Sequence, residues 1–475
     1  MSRHSRTVGA KEAPGYRWEI TITAALVLIT LGLLLVRPKS NSHESEESSG
    51  SADTPAVAAS GTSSEIRSER SHRISRPATQ PTAGEIVANK LAQFGRSRRE
   101  IVRAIARRSN RDVPAEVERF FDALETGRWE EIDAAFSAMA TRSGQYEGST
   151  HSPELDEFWP AVLDAYGPAE QAHLWPAQKL LDYGQAVLGS LKPGMVYVGG
   201  TDEGRFIPTF LNDTSDGEHH VVLTQNALAD GRYLDYVNFL YGDRFAALTK
   251  GDSERAFQDY ISDAQKRLLH DQQFPDEPKQ LRPGEDVRMI DGKVQVSGQV
   301  AVMSINENLL RSLMENNPDL TFALQESFPF GTLYKDAAPL GPIMELGVQD
   351  QQGAMTHESA AQSLGYWRTT AQQLLSDPQA SGSKETLASF SHLAVGQANL
   401  FAGHNYVSEA EEAYRLATQL SPGHSDATFG LAKLFAGSGR TDEALQLLNN
   451  FAANYPDKAA AVKNFRGSLN IGIQP

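Results

Sequence analysis

Apolar and polar positions change rhythm four times along this chain. Ile20–Val36 is an unbroken run without a charge. As a helix it spans about 25 Å, close to the ~30 Å of a bilayer core. Trp18 stands at one end and Arg37 and Lys39 at the other, so the pattern predicts one transmembrane helix over 20–36. Residues 37–84 are rich in Ser, Ala, Thr and Glu and hold no aromatic residue, which predicts a disordered linker. From 85 to 143 the period becomes helical. Val117, Phe120, Phe121 and Leu124 fall at i, i+3, i+4 and i+7; Gly127 breaks that helix, and Trp129, Ile132, Phe136 and Met139 mark the face of another. Helical stretches continue over 155–166 and 178–191.

From Lys192 the apolar runs shorten to strand length. Met195–Val198, Val221–Thr224, Phe245–Leu248, Thr321–Leu324 and Ile343–Leu346 alternate with helical stretches over 233–241, 253–269 and 306–316. That alternation predicts an α/β domain over 155–350, with helices on both faces of its sheet. Val287–Ile290, Asp291-Gly292 and Lys293–Val296 predict a hairpin with a type I′ turn at the edge of that sheet.

The last rhythm is an internal repeat. Ala398, Phe401, Ala410, Tyr414, Ala417 and Pro422 return in the same order and spacing as Ala432, Phe435, Ala444, Leu448, Phe451 and Pro456. Small residues where helices cross, aromatic fillers and a closing proline are the tetratricopeptide pattern, here in units 391–424 and 425–458. Two units bury too little alone, so flanking helices over 357–375 and 458–469 are expected to complete a stack over 356–470. The fold class is therefore mixed: anchor, linker, helical region, α/β domain and helical repeats.

Charge adds an orientation. In the head, residues 1–19, Arg3, Arg6, Lys11 and Arg17 stand against Glu12 and Glu19, whereas Glu44, Glu46, Glu47 and Asp53 soon follow the apolar run. The positive-inside rule places the head in the cytoplasm and the body outside, across a plasma (inner) membrane. The first Ala-x-Ala, Ala56 and Ala58, lies far behind the run, which favours an uncleaved anchor over a signal peptide. The chain has no cysteine, excluding disulfides, thiol nucleophiles and Cys-based zinc sites. Residues 1–119 carry 19 Lys and Arg against 13 Asp and Glu, and the remainder 25 against 47. Arg96, Arg98, Arg99, Arg103, Arg107, Arg108 and Arg111 form the most basic stretch. A solvated or acid-paired helix face is the plainer account, an anionic membrane surface the sharper one, and nucleic acid is not expected.

Candidate chemistry concentrates in the loop after the first strand, Gly199 to Arg205. Ligands of α/β sheets bind beyond the carboxyl ends of strands. Thr201, Asp202 and Arg205, with Gln225 and Asn226 ending the next strand, are the candidate ligand-binding residues; an Asp202–Arg205 pair clamping a glycine turn is the structural account. His219-His220 lacks a remote ligand set, so no metal is expected, and no cofactor motif is present. No catalytic residue can be assigned.

The segments Met195–Ser215, Val221–Phe245 and Leu324–Gly347 resemble the extracytoplasmic portion of bacterial membrane proteins of unassigned activity. In those, a multi-spanning, glycosyltransferase-like segment precedes an α/β domain and often tetratricopeptide repeats. The resemblance covers roughly 177–460 and is densest at Gly199–Arg205, where the family has proline at the position of Glu203. It implies a soluble half lacking the multi-spanning catalytic half. The expected function is a membrane-anchored, envelope-facing adaptor whose repeats bind a protein or peptide. The alternative is a carbohydrate- or glycolipid-handling protein with its site at 199–205. Enzymatic activity, such as hydrolysis by paired carboxylates, is the weaker expectation.

Overall fold

The structure is a computed structural model that describes residues 80–142, 154–200, 203–282, 284–290, 293–348 and 354–469. The expected membrane helix, most of the linker, Thr201, Asp202 and the Asp291-Gly292 turn lie outside the described residues. Among the described residues no helix is long and apolar enough to cross a membrane.

The described residues are mostly helical. Helices α1 (Ala83–Ser109), α2 (Ala115–Thr126), α3 (Trp129–Arg142), α4 (Trp159–Leu174) and α5 (Ala177–Leu188) precede the first strand. Thr82 and Glu85 open α1 with a reciprocal capping box, and Asn110 closes it in the left-handed region at φ 52°. Part of the arginine-rich stretch is paired with the protein's own carboxylates. Arg99 meets Glu118, Asp122 and Glu125, Arg103 meets Glu100 and Glu118, and Arg111 meets Glu157. Arg96, Arg107 and Arg108 remain exposed.

The sheet unit runs β1 (Val196–Gly199), α6 (Glu203–Asp213), β2 (Val221–Thr224), α7 (Gly231–Tyr241), α8 (Lys250–Gln273), β3 (Asp286–Ile290), β4 (Lys293–Ser297), α9 (Gln299–Asn316), β5 (Phe322–Leu324), β6 (Ala338–Leu340) and β7 (Ile343–Leu346). Strand order is β2-β1-β5-β7-β6, with β2, β1 and β5 parallel and β7 and β6 antiparallel. The three parallel strands are buried along their length, as the continuous apolar runs require.

Two expectations are corrected. The β3–β4 hairpin forms, pairing Ile290 with Lys293, but as a separate two-stranded sheet packed on α8 and α9 rather than at the edge of the main one. Phe245–Leu248 is not a strand. Its two ends are buried, but its backbone pairs with a side chain: Ala246 N–H donates to Asn317 Oδ1 at 2.7 Å, and Asn317 Nδ2 donates to the Ala246 carbonyl at 2.9 Å. One amide group does what a neighbouring strand would do.

The C-terminal stack comprises α10 (His357–Ser376), the short α11 (Pro378–Ser381), α12 (Lys384–Gly403), α13 (Val407–Leu420), α14 (Ser425–Gly437), α15 (Thr441–Asn454) and α16 (Ala459–Ser468). Ala398, Phe401, Ala410, Tyr414, Ala417, Ala432, Phe435, Ala444, Leu448 and Phe451 are all buried between these helices. Gly430 is used for close approach, since a Cβ there would lie 2.3 Å from the Tyr414 ring. Pro422 and Pro456 stand exposed just after α13 and α15.

Candidate functional site at the carboxyl edge of the sheet

From β1 the chain passes through α6 to β2 on one side, while β5 lies on the other, so the carboxyl ends of β1 and β5 open a crevice of the kind in which α/β proteins bind ligands. Here the protein's own side chains fill it. A Cβ on Gly200 would meet Ser327 Oγ at 2.1 Å, and one on Gly204 would meet Gln325 Nε2 at 2.2 Å, so both glycines serve the close approach of the two loops. The Tyr197 hydroxyl donates to the Gly204 carbonyl at 2.6 Å, and the Gln325 amide sits between the Tyr197 and Tyr183 hydroxyls.

Of the residues singled out from sequence, Arg205 turns inward. Its guanidinium donates to Asp164 Oδ1 at 2.9 Å, over the rings of Phe206 and Tyr233. Asp164 also accepts from Arg98 Nε at 3.0 Å and the Tyr236 hydroxyl at 3.0 Å, and Arg98 reaches Asp213 at 2.6 Å. Burial would push the Asp164 carboxyl up, but Arg98 and Arg205 hold it below its ordinary value. This network of two arginines and two aspartates ties α1, α4, α6 and α7 together. Gln225 is fully buried, donating to the Phe328 carbonyl at 2.7 Å and accepting from Ser327 N–H at 2.8 Å, with Asn226 buried beside it. The two adjacent histidines diverge: His219 meets the Ser215 carbonyl and His220 that of Met195, each at 3.1 Å.

The repeats cover the same edge. On α12, Phe390 packs edge-on to Tyr183, Gln397 donates to the Ile343 carbonyl at 2.8 Å, and Asn399 donates to Glu326 Oε2 at 2.9 Å. Glu326, just beyond β5, also accepts from Phe330 N–H at 2.9 Å and from the Tyr334 hydroxyl. Burial pushes its carboxyl up to about 7, against these three donors and with the charge of Glu307 adding to the rise.

Beside it, Glu203 at the start of α6 lies 3.4 Å from His392 Nδ1 on α12. Burial works against the Glu203 carboxylate, but His392 holds it below its ordinary value. His424, between the two repeat units, has its ring tilted at 53° and centred 4.2 Å from that of His392, and its Nε2 lies 3.7 Å from Asp426. Burial lowers the His424 imidazole, partly offset by Asp426.

Sequence reasoning missed Glu203, Glu326, His392, His424 and Asp426 as a group. One signal was present. His392 and Asp426 occupy the same position in successive units, each second in its unit, and so share a face of the stack.

Comparison with known proteins agrees with this architecture at one end of the chain. The tetratricopeptide repeat family matches residues 407–469, from α13 to α16. No curated protein and no solved structure matches the chain. The C-terminal helical stack is a tetratricopeptide repeat array, a scaffold that points to a protein partner.

Proposed function

We propose that this chain is a membrane-anchored adaptor: residues 20–36 hold it in the plasma membrane, the body stands outside the cytoplasm, and the repeats bind a protein or peptide. The observation that carries this reading is how the two units use one face. In the first unit, Gly396, Asn399 and Gly403 on α12 lie against Glu326 and Tyr334 of the sheet unit. Their equivalents one repeat later are Gly430, Lys433 and Gly437, and there Lys433 and Gly437 are exposed. The second unit thus offers to solvent a face that the first uses to hold protein. The anchor and the orientation rest on the apolar run and the charges flanking it.

The test is cross-linking in intact cells, then purification of the full-length chain with what accompanies it. Deleting the repeats is a poor control, because Phe390, Gln397 and Asn399 are structural parts of the sheet unit. Lys433→Glu changes the exposed face alone. A partner recovered in fixed proportion with the wild type and lost with K433E supports the reading; recovery indifferent to the substitution refutes this face as the binding surface.

A further inference from the structure

His392, His424 and Asp426 each bring a ligand atom to a place where all three lie within 4.8 Å of one another. Proximity alone says little, but the hydrogen bonds around His424 say more. The Ser391 hydroxyl has one hydrogen and gives it to the Ala417 carbonyl at 2.8 Å. With that hydrogen on the carbonyl, the hydroxyl accepts at its 2.8 Å contact with His424 Nδ1, and the tautomer that fits this arrangement has the imidazole proton on Nδ1. Nε2 is left with a bare lone pair. That atom is buried without a hydrogen-bond partner, on a side chain only 10% exposed, and it points toward Asp426.

His392 stands beside it. Its Nδ1 faces the Glu203 carboxylate at 3.4 Å, so a proton held there leaves its Nε2 as an acceptor. An imidazole whose outer nitrogen is held by a hydroxyl or a carboxylate while the other presents a lone pair is the usual state of a metal-ligating histidine. Around zinc, bonds of ~2.0–2.1 Å place ligand atoms roughly 3.3 Å apart, so adjustments of about 1 Å would close the set. Such movement is available, because the His392 side chain is 46% exposed and that of Asp426 68%. Asp426 and Glu203 supply negative charge, opposed by Lys458 nearby.

We propose that His392 Nε2, His424 Nε2 and an Asp426 oxygen bind a divalent transition-metal ion such as zinc, with Glu203 and Ser391 as positioning residues. Two imidazoles and a carboxylate suit zinc without cysteine, and three protein ligands leave a fourth position on the solvent side for water. The ion would join α12 to α14 beside the sheet's carboxyl edge.

The test uses the full-length chain in detergent, without a polyhistidine tag and stripped by chelator, with zinc titrated against a chromophoric competitor. One zinc per chain is expected. His392→Ala and Asp426→Asn, both at exposed side chains, should each weaken binding at least about 100-fold, and Glu203→Gln roughly 10-fold. His424→Gln should do as its two neighbours do, and the control His219→Ala should change nothing. Cobalt bound in place of zinc should give visible absorption that H392A and D426N abolish. Wild-type binding no tighter than about millimolar, or stoichiometric binding unchanged in H392A and D426N, overturns the proposal.

Discussion

Replacing Glu326 with glutamine should remove a specific dependence of stability on pH. In the folded protein burial pushes this carboxyl from an ordinary 4.5 to about 7. At pH values under 4.5 it is protonated in both folded and unfolded chains and contributes no slope. Between those values the unfolded chain releases the proton while the folded one retains it, so stability falls as pH rises, and above about 7 the loss is complete. At about 1.4 kcal/mol per unit the total is about 3 kcal/mol. Glutamine keeps the shape and cannot titrate. The quantity to measure is the unfolding free energy of E326Q minus that of the wild type, from urea melts of the full-length chain followed by tryptophan fluorescence between pH 4 and 8.5. Groups shared by the two proteins largely cancel in that difference. It should climb by about 3 kcal/mol across the window, about 1 M in urea midpoint for a slope near 3 kcal/mol per molar. The lost contacts with Asn399, Tyr334 and Phe330 set only a constant offset. Curves that run parallel, or a difference that shrinks as pH rises, would show that Glu326 is ionised in the folded protein and refute the reasoning.

Further tests address other parts of the molecule. Asp164→Asn should destabilise by about 3–5 kcal/mol, because Arg98 and Arg205 would keep their buried charges without a shared counter-ion; a thermal melt unchanged from wild type would contradict the network. Asn317→Ala should cost roughly 2 kcal/mol by stripping both partners from the Ala246 backbone, and amide exchange at Ala246 should quicken. The chain has no cysteine, so Ser48→Cys creates a single thiol; labelling by a membrane-impermeant maleimide in intact cells is expected, and labelling only after lysis would reverse the proposed orientation.

The periodic parts of this fold were legible in the sequence because each is a local pattern. The repeat units declare themselves through Ala398, Phe401 and Tyr414 and their counterparts, and four of the five short apolar runs become strands. Phe245–Leu248 shows the limit. Its apolar content matches the others, and the amide that completes it stands at Asn317, beyond α8, the hairpin and α9. The basic stretch on α1 follows its plainer account, since Arg99 and Arg103 are paired with Glu118, Asp122 and Glu125 of the next helix. Arg205 was legible as a residue of consequence but not in its direction, because its partner Asp164 lies about forty residues earlier, in a stretch that the sequence marks only as helical. The histidine cluster was least visible: Glu203, His392 and Asp426 meet only once the repeats fold onto the sheet.

That docking has a consequence for how the molecule can be lengthened. Repeat arrays grow by duplication, each new unit needing only a neighbour's apolar face. Here α12 belongs to two cores at once, so a unit inserted before it would pull Phe390, Gln397 and Asn399 away from the sheet. After α15 there is no such obligation, since α16 closes the stack with little more than Val462 buried and the Phe465 ring stacked on Phe429. An added repeat module would therefore be accommodated at that end alone, giving the array a fixed root and one growing tip.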